Sequence, residues 1–177
     1  MNQPLAYVHP GAKIAKNVVI EPFTTIHNNV KIGEGTWIGS NVTIMEGARI
    51  GKNCNIFPGS VISAVPQDLK YNDEDTTVEI GDNVTIRECV TINRGTANKG
   101  ITKIGKNCMI GGQVGIAGHI TIGDRVQIQG QTGVTKSIPN AGDYQGTPAI
   151  EYRSYYKSYA LFKQFPKIEA RLRALEK

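Results

Sequence analysis

Stepping by six from Val8, the chain places an aliphatic residue at Ile14, Ile20, Ile26, Ile32, Ile38, Ile44, Ile50, Ile56 and Ile62. The same frame resumes at Ile80, Ile86 and Ile92, and again at Ile104, Ile110, Ile116, Ile122, Ile128 and Val134. Of the 22 positions in this frame, 19 are Ile or Val. No amphipathic helix repeats every six residues, and an isolated strand alternates by two. The rest of the hexad is patterned as well. Four residues after each aliphatic comes a small or β-branched residue, as at Ala12, Val18, Thr24, Val30, Thr36, Val42, Ala48 and Cys54, suited to a crowded interior. Three residues after it stands Asn or Gly, as at Asn17, Asn29, Asn41, Asn53, Asn83 and Asn107, or Gly35, Gly47 and Gly59. These residues tolerate positive φ best, so this position marks the corner of a turn. Each hexad is then one short strand and one corner, and three hexads close a triangular coil. One coil cannot bury its apolar edge alone, so coils stack. The predicted fold is an all-β solenoid, a left-handed parallel β-helix of hexapeptide repeats shaped as a triangular prism.

Two stretches, 63–79 and 97–103, lack the aliphatic step and read as loops leaving the coil. Loops carried on a rigid scaffold are where binding groups are usually placed. After Ser137-Ile138-Pro139 the pattern changes. Thr147 and Pro148 suit a helix N-cap and first turn, and Leu161, Phe165, Ile168, Leu172 and Leu175 follow the 4, 3, 4, 3 rhythm of a coiled-coil seam. Pro166 inside that run should kink or restart the helix. The expected organisation is a β-helix over 1–147 and a helical tail over 148–177, with helices at about 151–164 and 166–177.

Charge sharpens this division. The tail from 152 holds seven Lys/Arg against Glu169 and Glu176, so it carries the whole net charge of +5, while the body balances 13 cations with 13 anions. The body lacks the basic face with interleaved aromatics that nucleic acid requires. No apolar run is long enough to span a bilayer and no leader pattern is present. Three cysteines at no metal-ligand spacing suit reduced thiols in a cytoplasm, so neither a metal nor a disulfide framework is expected.

One loop carries a more specific signal. The string Gln67-Asp68-Leu69-Lys70-Tyr71, followed by Val78-Glu79-Ile80-Gly81-Asp82 and Ile86-Arg87-Glu88, resembles the UDP-N-acetylglucosamine 3-O-acyltransferases of lipid A synthesis. Tyr7-Val8-His9-Pro10 and the run from Val90 through Asn93-Arg94-Gly95-Thr96 fit the same family, so the resemblance covers residues 5–96. From Lys106 to the end the chain is more similar to the sister UDP-3-O-acyl-glucosamine N-acyltransferases, through Ile110-Gly111-Gly112-Gln113-Val114-Gly115-Ile116-Ala117-Gly118-His119 and Thr132-Gly133-Val134. It reads as the front of one enzyme joined to the back of its relative near 97–103.

The resemblance implies a homotrimer that moves a hydroxyacyl group from an acidic acyl carrier protein to a UDP-amino-sugar, with no cofactor beyond that cosubstrate. It implies that Asp68 and Lys70, with Gln67 and Tyr71 beside them, hold the sugar-nucleotide. A carboxylate accepts bonds from sugar hydroxyls and an ammonium meets a phosphate. Both enzymes use as general base a histidine from a short His-Asp or His-Asn segment, and this sequence has none. Its histidines are His9, His27 and His119. His9 and His27 read as structural. His119, at a corner in the Ala-Gly-His motif, is the catalytic candidate, with imidazole suited to base catalysis near neutral pH. Arg87 and Arg94 read either as ligands or as surface ion pairs. Cys54 and Cys108 fall at the interior position, and Cys89 falls at a corner with no histidine nearby to activate it. Two further readings stay open: a non-catalytic trimeric scaffold, natural or fused, and an acetyl-CoA-dependent hexapeptide acetyltransferase.

Overall fold

The computed structural model describes residues 5–69, 71–96 and 100–175. Its coils lay three parallel sheets along the sides of a prism, and the winding is that of a left-handed parallel β-helix. The first sheet stacks Tyr7–Val8, Thr25–Ile26, Thr43–Ile44, Val61–Ala64, Thr91–Asn93, Gly115–Ile116 and Gly133–Val134. The second stacks Lys13–Ile14, Lys31–Ile32, Ala48–Ile50, Thr77–Ile80, Ile101–Ile104 and Thr121–Ile122. The third runs from Val19–Ile20 through Trp37–Ile38, Asn55–Ile56, Thr85–Ile86, Met109–Ile110 and Val126–Ile128 to Gly142–Gln145. Tyr7 lies opposite Thr25 and Thr25 opposite Thr43, one 18-residue coil apart.

The hexad explains this geometry residue by residue. The frame isoleucines meet inside, and Ile20, Ile26, Ile38, Ile44, Ile56, Ile62, Ile86 and Ile92 are fully buried. The second interior position holds Val18, Val30, Val42, Ala48, Cys54, Val84, Val90 and Cys108, all buried in the same cluster. Where that position carries a hydroxyl, the hydroxyl is satisfied: Thr24 Oγ1 donates to the Gly39 carbonyl at 2.7 Å, and Thr36 Oγ1 to that of Gly51 at 2.9 Å. The corner asparagines Asn17, Asn29, Asn41, Asn53, Asn83 and Asn107 all have φ between 51° and 58°. Phe23, Cys89, Gln113, His119, Arg125 and Gln131 take the same left-handed conformation without the Asn or Gly that eases it.

The first excursion is shorter than the hexad frame suggests, and the second is displaced towards the N-terminus. The first sheet continues to Ala64 and the second resumes at Thr77, because Val78 fills the interior position opposite Ala48. Likewise the strand Ile101–Ile104 returns early, with buried Thr102 opposite Val78. Both excursions leave the same corner, between the first and second sheets, and Val61 opposite Thr91 and Thr91 opposite Gly115 show that register survives them.

The end of the chain differs from the sequence reading in where its first helix is capped. Ile150–Glu151 pairs antiparallel with Gly142–Gln145, and helix α1 spans Tyr152–Phe162. Its N-cap is Glu151, whose carboxylate accepts from the amides of Arg153 and Ser154 and is held below the usual carboxylate range by those bonds. Thr147 instead takes the Gly133 amide on its hydroxyl at 3.1 Å. As expected from Pro166, the helix restarts: α2 spans Phe165–Leu175, with Pro166 in its first turn, where a missing amide costs nothing.

Cys54 and Cys108 are buried, and their thiols donate to the carbonyls of Gly81 and Gly123 at 3.2 and 3.1 Å. Desolvation pushes both thiols up from the ordinary value, so they stay protonated near neutrality. Cys89 is exposed. Native alkylation with iodoacetamide at mildly alkaline pH, read by intact mass, should add one adduct, at Cys89. Labelling of Cys54 or Cys108 at a similar rate would mean that the coils open readily.

Candidate functional site

The corner between the first and second sheets gathers most of the residues singled out above. Each coil crosses it once, and the crossings begin His9, His27, Met45, Ser63, Asn93, Ala117 and Thr135 in coil order. All three histidines therefore lie along one edge of the prism, as do both excursions. His9 is spent structurally, its Nδ1 accepting from the Gly11 amide at 3.0 Å.

The first excursion is fixed at its root. Ser63 Oγ donates to the Glu46 carbonyl at 2.6 Å, and the buried side chain of Asn93 donates through Nδ2 to the Val65 carbonyl at 2.8 Å. The Arg94 amide reaches the Ala64 carbonyl at 2.9 Å. These bonds turn the chain back over the corner, where Pro66, Gln67, Asp68, Asn93, Thr96, Ala117, Gly118 and His119 enclose a cavity of about 130 Å³. Gln67, Asp68 and His119 thus share one site, although 51 residues of sequence separate Asp68 from His119.

Gly118 permits this closeness. A Cβ there would lie 2.4 Å from the Arg94 carbonyl oxygen, so any side chain would force the two coils apart at the cavity wall. His119 follows in the left-handed conformation, its amide donating to the buried hydroxyl of Thr102 at 2.9 Å. The imidazole Nδ1 is buried and, among the described residues, has no hydrogen-bond partner. A histidine acting as general base is normally oriented by an acceptor at its second nitrogen, which also stabilises the imidazolium. Among the described residues, none supplies that acceptor to His119 Nδ1.

Tyr71 faces elsewhere. It lines a second hollow of about 290 Å³ with Asn29, Glu46, Gly47, Asp73, Glu74, Asp75 and Arg94. The Arg94 guanidinium lies 5.5 Å from the Tyr71 ring centroid, and its Nε is buried without an acceptor among the described residues. The Tyr71 hydroxyl donates to the Glu74 carbonyl at 3.3 Å. Lys70 lies outside the described residues. Arg87 is on another edge, paired with Glu88 at 3.0 Å and 4.6 Å over the Phe57 ring, so it belongs to a surface cluster. Sequence reasoning missed Asn93 and Thr96. Their signal was faint: both precede the second break in the hexad frame, where a buried polar side chain can anchor a departing loop.

Among the described residues, no three His, Cys, Asp or Glu side chains group as metal ligands, and no helix is long and apolar enough to cross a membrane.

A family model described as GMPPB C-terminal domain matches residues 2–97, and one described as bacterial transferase hexapeptide (six repeats) matches residues 101–136. The UDP-3-O-acylglucosamine N-acyltransferase of Hahella chejuensis is 39% identical over 103 residues, which are 58% of this chain and 30% of that protein. The acyl-(acyl-carrier-protein)–UDP-N-acetylglucosamine O-acyltransferase of Chlamydia caviae is 42% identical over 107 residues, 60% of this chain and 38% of that one. The chain thus spans about a third of these curated relatives. The crystal structure of the UDP-N-acetylglucosamine acyltransferase from Bacteroides fragilis superposes with a TM-score of 0.68 at 41% identity, covering 85% of this chain and 73% of that one.

Proposed function

Because the chain belongs to the hexapeptide-repeat acyltransferases of lipid A synthesis, we propose that it holds a UDP-amino-sugar at the corner cavity and transfers a hydroxyacyl group to it slowly. The observation that supports this most is the convergence of Gln67, Asp68 and His119 on one cavity, beneath a loop pinned by Asn93. In this reaction the acceptor hydroxyl or amine attacks the thioester carbonyl of acyl carrier protein. A new C–O or C–N bond forms, the C–S bond breaks, and the acceptor proton leaves as the thiol is released. Asp68 accepts from sugar hydroxyls and Lys70 meets the diphosphate. No metal or bound cofactor takes part.

The chain works as a homotrimer. No residue of α1 or α2 is buried, and Leu161, Phe165, Leu172 and Leu175 are all more than half exposed, an apolar surface that an assembly would cover. The cationic tail faces the acidic carrier protein, an attraction that fades with salt. That His119 Nδ1 has no partner among the described residues also favours a second reading, a scaffold that binds the sugar-nucleotide without turning it over.

A thiol-release assay with hydroxyacyl carrier protein and UDP-N-acetylglucosamine, paired with calorimetric binding of the nucleotide, tests this function. Binding should be measurable and turnover about 10²–10⁴ below that of a relative with its histidine segment, the usual worth of a general base. Absence of binding would remove the ligand roles of Gln67, Asp68, Lys70 and Tyr71. Turnover at the relative's rate would make His119 a competent base.

A further inference from the structure

A hollow larger than either at the corner lies under the tail. Its volume is about 530 Å³, and Thr147, Pro148, Ile150, Tyr155, Tyr159 and Phe162 line it. Among the described residues its lining carries no charge. Sites for small ligands have volumes of this order and are lined mainly by apolar and aromatic groups. One wall is flat. Tyr155 stacks on Tyr159 at 6.0 Å between ring centroids with the planes 12° apart, and Tyr159 on Phe162 at 6.3 Å and 13°. Gly146 lets the helix come close, since a Cβ there would lie 2.7 Å from the Tyr155 ring. The Glu151 cap and the pairing of Ile150–Glu151 with Gly142–Gln145 hold α1 beside the groove.

A strip of bare backbone joins this groove to the corner cavity. The outward column of the first sheet runs Tyr7, Thr25, Thr43, Val61, Thr91, Gly115, Gly133, so its side chains vanish in the last two coils. Glycine inside a strand weakens it and often marks a place where a ligand approaches the backbone. Among the described residues a Cβ at Gly115 would meet Thr91 Oγ1 alone, at 3.7 Å. Thr147 lies against Gly133, where a Cβ would come within 2.8 Å of its methyl group, and Thr147 also lines the groove. At the other end Ala117, two residues beyond Gly115 on the same face, lines the corner cavity. From Ala117 to Thr147 is roughly 12 Å, at about 3.3 Å per strand residue and 4.8 Å per coil.

We propose that the groove beneath α1 holds the hydrocarbon chain of the hydroxyacyl donor, which crosses the bare strip from the corner cavity. The inference rests on the hydroxyacyl donor proposed above and adds where its chain lies. A hydrocarbon fits because the lining is uncharged, the wall is flat, and the strip leads to the cavity where the thioester would react. At roughly 30 Å³ for a water-sized group, the groove has room for a dozen or more methylenes. Short chains end on the strip and long ones enter the groove, so the groove favours long chains.

Calorimetric binding of hydroxyacyl-pantetheine thioesters of graded chain length to the full chain tests this. Wild-type affinity should rise about two- to fourfold with each methylene that enters the groove, the upper figure corresponding to ~0.8 kcal/mol for full burial. Gly115→Val sets a branched side chain across the strip, and Phe162→Ala removes part of the wall. Each should cut the advantage of a long chain over a short one roughly tenfold. No residue of α1 is buried, so the Phe162 variant keeps the prism folded even where the Gly115 variant does not. A long-chain advantage that survives both changes, or that the wild type lacks, overturns the groove. Loss in Gly115→Val alone would place the chain on the strip only, and the groove assignment would be wrong. Calorimetry with UDP-N-acetylglucosamine separates this result from the sugar reading. If the nucleotide fails to bind while the long-chain advantage depends on both residues, the groove stands and the sugar reading falls.

Discussion

Ile92→Ala should lower the unfolding free energy by about 3–5 kcal/mol, the upper part of the range for truncating a buried isoleucine. Ile92 is fully buried, stacked between Ile62 and Ile116 in the first sheet. In a solenoid each coil gains its stability from the coils above and below, so a void there weakens two interfaces at once. Relaxation is restricted too. The same strand ends at Asn93, which pins the first excursion, and Arg94, whose amide is bonded to Ala64, so the coil cannot collapse into the void without pulling on the loop. Val19→Ala, on an outward position that is 40% exposed, should cost under about 0.5 kcal/mol. Urea unfolding of both variants checks the contrast. A loss below about 1 kcal/mol for Ile92→Ala would mean that the isoleucine stack does not carry the fold as burial implies.

How much could be read in advance follows from what a period of six encodes. Period fixes which residues point inward, and hence the three sheets, the corners and the buried thiols. It does not fix where a loop truly departs. The frame is interrupted by Asp68, Glu74 and Asn98, yet the second interior position continues as Val78 and Thr102, and those two residues pull the strands back to Thr77 and Ile101. The tail shows a rhythm and its breaker read together. Leu161 to Leu175 keeps one rhythm, but Pro166 demands a helix start, and the chain supplies it by ending α1 at Phe162. At the site, the excursion was conspicuous as a string and His119 as a motif, but their meeting was not. Only the insertion of both excursions at the same corner brings coils distant in sequence to one cavity, and Asn93 and Thr96 enter it for the same reason. Tyr71, a near neighbour of Asp68 in sequence, lines the other hollow because the chain reverses between them, the Tyr71 amide donating to the Asp68 carbonyl at 3.0 Å.

Binding and proton transfer rest on different residues at this corner, so they should separate on mutation. Asp68→Ala should weaken calorimetric UDP-N-acetylglucosamine binding roughly 10- to 100-fold, the worth of a hydrogen bond to a charged group. His119→Ala should leave that affinity within about threefold, because no sugar contact is assigned to the imidazole. Turnover should then fall by less than about tenfold in His119→Ala, against the 10²–10⁴ expected of a fully engaged base. The reason is local. His119 is placed by Gly118 and by its amide bond to Thr102, but among the described residues its Nδ1 has no acceptor to fix one tautomer or to share the positive charge that proton abstraction creates. Asn93→Ala offers an internal control, since it should loosen the Gln67 and Asp68 segment and reduce binding without touching His119. A brisk wild type that His119→Ala silences would show that substrate itself completes the imidazole, and His119 would then be the base. Equal loss of binding in both variants would instead mean that the cavity holds its ligand through His119 as much as through Asp68, and the separation of roles would fail.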